Sequence, residues 1–297
     1  MWYSVGMSQK VIVTHDGKFH ADDCFAVAAL LLLEKDAKVV RTRDEKLFAS
    51  ADFVVDVGGV ADGARNRFDH HQRGGAGERS NGIPYAAFGL VWKKFGAELS
   101  GSEEAAASLD ARLVAPIDAH DNGVDIVSPR FDAVHPYEIS DAIKSFTPSW
   151  EEEQNLDARF ADAASFAKRI LEREIARSQA RLKGIRAVIA AYEAAADKRL
   201  IILPEDYSWK ETLATFPEPL FVVHPQDGKW RLACVRDNPS VFKNRKDLPE
   251  SWAGLREEEL AKVTGVADAI FCHRNRFTAA ARSRGGTLAL ANLALAD

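Results

Sequence analysis

Histidine and aspartate recur side by side in four short stretches of the first half of the chain, and together they form the donor set of a divalent-cation site. The densest stretch is Thr14, His15, Asp16, Gly17, Lys18, Phe19, His20, Ala21, Asp22, Asp23. If this loop curls, His15, His20 and Asp22 converge, and Asp22 or Asp23 can also cap a following helix. The second stretch is Asp56, at the tip of the apolar run Phe53 to Val55 and followed by Val57, Gly58 and Gly59. A carboxylate there is placed to bridge two cations. The third is Phe68, Asp69, His70, His71. Adjacent side chains on an extended segment point to opposite sides, so one histidine can bind metal while the other faces substrate or is held by Asp69. In the fourth, Ile117 to Gly123, either Asp118 or Asp121 completes the site, and on a helix the two share a face. Five of the eight histidines lie between residues 15 and 120, each within two positions of a carboxylate. Scattered surface histidines would not cluster in that way.

Imidazole and carboxylate without thiolate suits Mn²⁺, with Mg²⁺ as the all-oxygen alternative. Two such cations about 4 Å apart favour in-line attack of water on a phosphorus centre. Hydrolysis of an amide bond at the same kind of centre is the chemical rival. Arginine favours phosphate, because its forked donors match phosphoryl oxygens. Arg65, Arg67, Arg73, Arg274, Arg276, Arg282 and Arg284 are the candidates.

In this order, His15 to Asp22, Asp56, Asp69 to His71, and Asp118 to Asp121 resemble the DHH phosphoesterase superfamily. Within it the chain is most similar to the Myg exonuclease branch, also described as a metal-dependent protein hydrolase family. The stretches Thr14 to Asp23, Phe68 to Arg73, Ile117 to Gly123 and Ile139 to Ile143 carry the likeness, which spans nearly the whole chain. The resemblance implies that His15, His20 and Asp56 hold one cation. Asp22, Asp56, His70 and Asp118 would hold the other, with Asp56 bridging. Asp118 is preferred to Asp121 because it directly follows the apolar run Val114 to Ile117. The resemblance also implies that His71 sits close to the scissile phosphate, and that a second domain grips substrate through His273 with Arg282 or Arg284. The superfamily usually has aspartate where this chain has His20, and a glycine-rich turn where it has Thr278 to Ala281.

These residues need a scaffold that brings distant loops together. Val11 to Thr14, Lys38 to Arg41 and Phe53 to Asp56 read as strands, and Asp22 to Glu34 as a helix rich in alanine and leucine. Strand, helix, strand at this spacing means a parallel α/β sheet, whose sites lie at the carboxyl ends of the strands. Helical patterns follow at 84–96 and 102–115, with a polar, turn-prone stretch from Pro116 to Gly123. Residues 151–196 contain no proline and a single glycine, Gly184, and form one long helix or a broken pair. Strand-like runs at Leu200 to Leu203, Leu220 to His224, Trp230 to Arg236 and Ala269 to His273, with a helix from Leu255 to Val263, complete the reading. The expected organisation is a DHH-type parallel-sheet catalytic domain over residues 1–150, a helical connector over 151–196, and a smaller α+β substrate-binding domain over 197–297.

At 297 residues the chain accommodates two domains, and its hydrophobic share of 46% and charged share of 28% are those of a folded protein. The net charge of −5 argues against non-specific coating of nucleic acid but not against a nuclease, whose acidic pocket is neutralised by its cations. Cys24, Cys234 and Cys272 sit in apolar runs without a CxxC pair, which reads as reduced thiols in the cytoplasm. No run is long enough to cross a membrane, and the first residues lack signal-peptide character; Met7 is an alternative physiological start. The apolar content accommodates a homodimer without requiring one. The expected activity is therefore a metal-dependent phosphodiesterase, an exonuclease on single-stranded or short RNA or DNA with a nucleic-acid or nucleotide substrate. Cyclic dinucleotides and other small phosphoesters are the nearest alternatives.

Overall fold

The structure is a computed structural model that describes residues 9–297, so the Met7 start lies outside the described residues. The chain is α/β and divides into two compact units, one ending at Gln179 and the other beginning at Ala180.

The first unit begins with β1 (Val11–Thr14), α1 (Ala21–Leu33), β2 (Lys38–Arg41), α2 (Glu45–Phe48), β3 (Phe53–Val55), β4 (Ala61–Asp62) and β5 (Arg67–Phe68). The sheet order is β2-β1-β3-β5-β4. All neighbours pair parallel except β4 with β5, which is antiparallel, so the sheet is parallel with one reversed edge. The expected strands appear because β-branched Val11 to Val13, Val39 and Val40, and Val54 and Val55 suit a pleated, buried surface. The α1 helix is held at its start by Asp23, whose Oδ1 accepts the backbone N–H of His20 at 2.9 Å. Its Cys24 to Leu30 stretch is completely buried and packs with Phe68, Phe88 and Ile117 into one core.

Next come α3 (Ala87–Ser100), α4 (Glu103–Leu109), a short π-helical turn over Asp110–Val114, α5 (Ala115–Asp121) and α6 (Ile139–Lys144). The polar Pro116 to Gly123 stretch is thus largely helical, since Pro116 sits in the first turn, where its missing N–H costs nothing. The 39-residue α7 (Leu156–Ala194) is a single uninterrupted helix. Its Phe160, Ala163, Ala164, Ala167, Leu171 and Ile175 belong to the core of the first unit. Its Val188 joins a cluster in the second.

The second unit contains β6 (Leu200–Ile202), α8 (Lys210–Ala214), β7 (Phe221–Gln226), β8 (Lys229–Cys234), α9 (Glu257–Thr264), β9 (Ala269–Cys272), β10 (Thr278–Ala281) and α10 (Arg284–Ala296). The sheet order is β6-β7-β8-β10-β9. Only β6 and β7 run parallel. A two-residue turn joins β7 to β8, and Asp227 and Gly228 both take positive φ (52° and 72°), as the right-handed twist of a hairpin demands. Where the resemblance called for a glycine-rich turn, Thr278 to Ala281 form a wholly buried strand between β8 and β9. No helix among the described residues is long and apolar enough to cross a membrane.

Candidate metal centre

Three neighbouring parallel strands end side by side, and each hands over one candidate ligand. His15 follows β1, Asp56 follows β3, and His70 stands two residues past β5. That is where an open α/β sheet presents its loops. Asp22 joins from the first turn of α1, and Asp121 from the last residue of α5.

Asp56 is the pivot. It is buried at 3% exposure and takes a left-handed backbone (φ 55°), a conformation that side-chain-bearing residues hold only where the surroundings enforce it. Here the enforcement comes partly from its own N–H, which donates to the Phe68 carbonyl at 2.9 Å. The turn orients the carboxylate between two imidazoles: Oδ2 lies 3.3 Å from His15 Nε2 and Oδ1 lies 3.4 Å from His70 Nε2. His70 Nε2 also lies 3.1 Å from Asp121 Oδ2, and His20 Nδ1 lies 4.0 Å from Asp121 Oδ1.

Three sets of donor atoms each fall within 4.8 Å of one another: His15, His20 and Asp56; Asp56, His70 and His71; and Asp22, His70 and Asp121. Asp56 and His70 each belong to two of them. The predicted ligands His15, His20, Asp22, Asp56, His70 and Asp121 are therefore brought together. Asp118 is not among them: its Oδ1 accepts the Gly89 N–H at 3.0 Å, and its Oδ2 pairs with Arg79 at 2.8 Å. The preference for Asp118 over Asp121 is accordingly reversed. Three residues of helix turn through about 300°, and the remaining 60° sends one carboxylate toward α3 and the other toward His70.

The surroundings fix how these ligands sit. Asp22 accepts the N–H groups of Ala87 and Phe88 at 2.9 and 2.7 Å, anchoring it to the start of α3. Asp69 receives both the His71 N–H and its Nδ1, at 3.0 and 2.9 Å, while its other oxygen takes the Gly59 N–H. Gly59 has φ 67°, which lets the backbone turn back toward Asp69. His70 and His71 do not diverge fully, since their ring centroids lie 4.3 Å apart and His71 Nδ1 is also 3.4 Å from Asp56 Oδ1. Arg41, buried against Phe160, donates to the Gly17 carbonyl at 2.6 Å and to Asp157 at 2.7 Å, tying down the loop that carries His15 and His20.

Electrostatics follow from crowding carboxylates in a dry place. Burial pushes Asp22 well above the usual carboxylate range, and the charges of Asp56, Asp121 and Asp118 add to it. Burial opposes ionisation of Asp56 too, yet His15 and His70 outweigh it and hold that carboxyl below its ordinary value. Burial alone would lower His15 and His70, but their carboxylate neighbours raise them to about 10 and about 11. Asp56 Oδ1, His70 Nε2 and Asp23 Oδ2 are among the buried polar atoms without a hydrogen bond, as is Asp118 Oδ2, which has its ion pair with Arg79. Buried polar atoms left this way call for an explanation. Asp56 Oδ1 and His70 Nε2 approach to 3.4 Å without hydrogen-bond alignment, as donors sharing a cation would, and imidazole with carboxylate is a donor set that fits one.

Sequence reasoning treated Asp23 mainly as a cap and missed Arg79 entirely. Asp23 is fully buried, with Oδ2 3.0 Å from His15 Nε2. Arg79 forms a forked pair with Asp110 at 2.7 Å while holding Asp118; nothing in the loop around it marks it out. Of the candidate phosphate arginines, Arg67 spends its guanidinium on the carbonyls of Phe48, Ala51 and Arg65, and Arg65 pairs with Asp62. Arg73 is exposed two residues beyond His71. In the second unit, Arg276 faces Asp247, Arg282 pairs with Glu257 at 3.0 Å, and Arg284 opens α10 with its guanidinium 5.9 Å from the Trp230 ring. His273 Nδ1 accepts the Asn275 N–H at 3.0 Å.

Comparison with known proteins yields one family and a set of relatives. A family model described as an uncharacterised protein family (UPF0160), the MYG1 exonuclease model, matches residues 11–295. The human MYG1 exonuclease is 33% identical over 332 residues, covering 98% of this chain and 87% of that protein. A MYG1 protein of Schizosaccharomyces pombe is 31% identical over 316 residues, covering 96% and 97%, and one of Saccharomyces cerevisiae is 32% identical over 325 residues, covering 97% and 96%.

Proposed function

Because this chain belongs to the MYG1 exonuclease family, we propose that it is a metal-dependent phosphodiesterase that removes nucleotides from an end of single-stranded or short RNA or DNA. The observation that carries this reading is the Asp56 carboxylate set between two imidazoles, with His15 beyond one oxygen and His70 beyond the other. Such a group can serve two cations at once, with His15 and His20 completing one shell and Asp22, His70 and Asp121 the other. Mixed imidazole and carboxylate donors favour Mn²⁺ over Mg²⁺. When bound, the cations supply an activated water and neutralise charge on the phosphoryl oxygens. The order of the ligands along the first sheet supports the DHH arrangement for that unit.

The protein's own groups do the rest. His71, 62% exposed and oriented by Asp69, is placed to hydrogen-bond a phosphoryl oxygen of the substrate. Lys18 and Arg43 line a pocket of about 620 Å³ with His15, His20, His71 and the carboxylates Asp16, Asp56 and Asp69, and Arg43 pairs with Asp16 at 3.2 Å. With the carboxylates neutralised by bound cations, Lys18 beside them favours a phosphate ester over a peptide amide. Arg73 of the first unit is assigned to a substrate phosphate there; on the second unit His273 and Arg284 are the substrate contacts that the resemblance implies, and Arg282 would have to leave Glu257 to serve. Three buried free cysteines support a reducing compartment such as the cytoplasm.

The test is ester turnover by metal-stripped protein, restored with Mn²⁺, Mg²⁺ or Zn²⁺. Substrates are single-stranded RNA and DNA, cyclic dinucleotides and bis-p-nitrophenyl phosphate, with Asp56→Ala as control. Manganese-dependent product that disappears in Asp56→Ala supports the reading and separates oligonucleotides from the small phosphoesters. Bound metal without turnover of any ester sinks it.

A further inference from the structure

The second unit carries a pocket of about 630 Å³ on one face of its sheet, and neither the metal-centre residues nor His273, Arg282 and Arg284 line it. Its size is that of a small-molecule site. Three cations line it: Lys210 at the start of α8, Arg231 of β8, and Arg236 just beyond β8. Two acids stand among them, and one is already engaged: Asp206 holds His224 Nδ1 at 3.1 Å through one oxygen and Gln226 Nε2 at 2.9 Å through the other. In a chain of net charge −5, a surplus of cations around a cavity is a local bias toward an anion.

Two details sharpen the ligand. The Nε of Arg231 is buried without a hydrogen-bond acceptor, and the terminal nitrogen of the same guanidinium comes only within 4.0 Å of Asp227. A guanidinium on a side chain only a quarter exposed, with donors to spare, is matched by the oxygens of a phosphate. At the mouth, Phe242 is 89% exposed, although the fold gains nothing by leaving a large apolar ring in water. The Arg236 guanidinium lies 4.6 Å from the centre of that ring and 5.9 Å from that of Phe277. A solvent-facing aromatic steadied by arginine, beside a cationic pocket, is a platform on which a base stacks.

We propose that this pocket binds a nucleoside phosphate, its phosphate on Arg231 and Lys210 and its base on Phe242. The choice of a nucleotide over another aromatic anion rests on the nuclease reading above. The nucleotide is either free or part of a single-stranded chain, which the test separates.

The experiment is fluorescence anisotropy of a short 5′-fluorescein-labelled single-stranded oligoadenylate bound to the whole protein in EDTA, so that no turnover intervenes. Wild type is compared with Phe242→Ala and Arg231→Gln, each checked for an unchanged melting temperature. Phe242→Ala removes an exposed ring and leaves the fold intact. Binding weakened by at least about tenfold in both variants, the effect of losing one stacked base or one charged contact, supports the pocket. Competition by adenosine monophosphate identifies free nucleotide as a ligand, and its absence identifies a nucleotide within a chain. Binding unchanged in Phe242→Ala, or no binding to wild type, overturns the proposal. If pocket-dependent binding survives while no ester is turned over with metal, the phosphodiesterase reading alone fails.

Discussion

The guanidinium of Arg79 meets the carboxylate of Asp118 at 2.8 Å, with the aspartate wholly buried and the arginine almost so. That pair decides which acidic residue of α5 remains for a cation. Asp118→Ala would strand Arg79 with Asp110 alone and orphan the Gly89 N–H. Breaking one side of a buried pair costs about 3 kcal/mol or more. Asp121→Ala, by contrast, should lower the melting temperature of metal-free protein less than Asp118→Ala does, since it removes one of the two carboxylates beside His70, and should weaken Mn²⁺ binding by at least about tenfold, as removal of a ligand would. Calorimetric titration of both variants distinguishes the roles, and the opposite pattern would restore Asp118 as the ligand.

Metal-stripped protein should lose stability as pH rises. His15 and His70 are held above the ordinary histidine value of 6.5, at about 10 and about 11, by their carboxylate neighbours. A group whose folded pKa is raised contributes stability that is complete below its unfolded pKa and is lost as pH climbs toward the folded one. The melting temperature in EDTA should therefore decline from near pH 6.5 toward pH 10, and Mn²⁺ should reverse the decline by taking the place of the protons. Equal slopes with and without Mn²⁺ would contradict this.

Two glycines in helices should respond oppositely to alanine. At Gly89 a Cβ would lie 1.8 Å from Asp118 Oδ2, and 2.9 Å from the Tyr85 ring. Gly89→Ala should destabilise by about 1–3 kcal/mol through overpacking, despite the better helix propensity of alanine. At Gly184 the nearest atom would be Tyr207 Cδ1 at 3.5 Å, an ordinary contact. There the propensity gain stands alone, and denaturant unfolding should show about 0.5–1 kcal/mol of added stability.

The three thiols should be silent in the native protein. Burial pushes Cys234 up to about 12, Cys272 up to about 11, and Cys24 well above the usual thiol value. Since only the thiolate attacks, Ellman's reagent at pH 8 should react at a negligible rate until denaturant is added and then titrate three groups. Rapid labelling of any one without denaturant would show local opening.

The strands from β1 to β3, the helix α1 and most of the second sheet were legible because β-branched runs and alanine-leucine periodicity are local signals. The two-residue β4 and β5 carry no such signal. Nor does β10, whose three alanines disfavour a strand and adopt one only because β8 and β9 flank them. At the site, residue types and order pointed to the histidines and to Asp22 and Asp56, and to both Asp118 and Asp121 with Asp118 preferred. The direction each side chain takes depends on the phase of one helix against another, as Asp118 and Asp121 illustrate, and no local pattern contains that. Arg79 was invisible for the same reason, since both of its partners lie on helices more than thirty residues away.

The first turns of α7 have a consequence for anyone who would cut this protein in two. Phe160 and its neighbours on that helix are part of the wall behind the histidine loop, and Arg41 clasps Gly17 with one hand and Asp157 with the other. A fragment ending at residue 150 would keep every proposed ligand and still lack the buttress that aims two of them. The first compact unit runs on to Gln179, and a protease nick near residue 155 should do more harm to cation capture than deletion of everything after the helix.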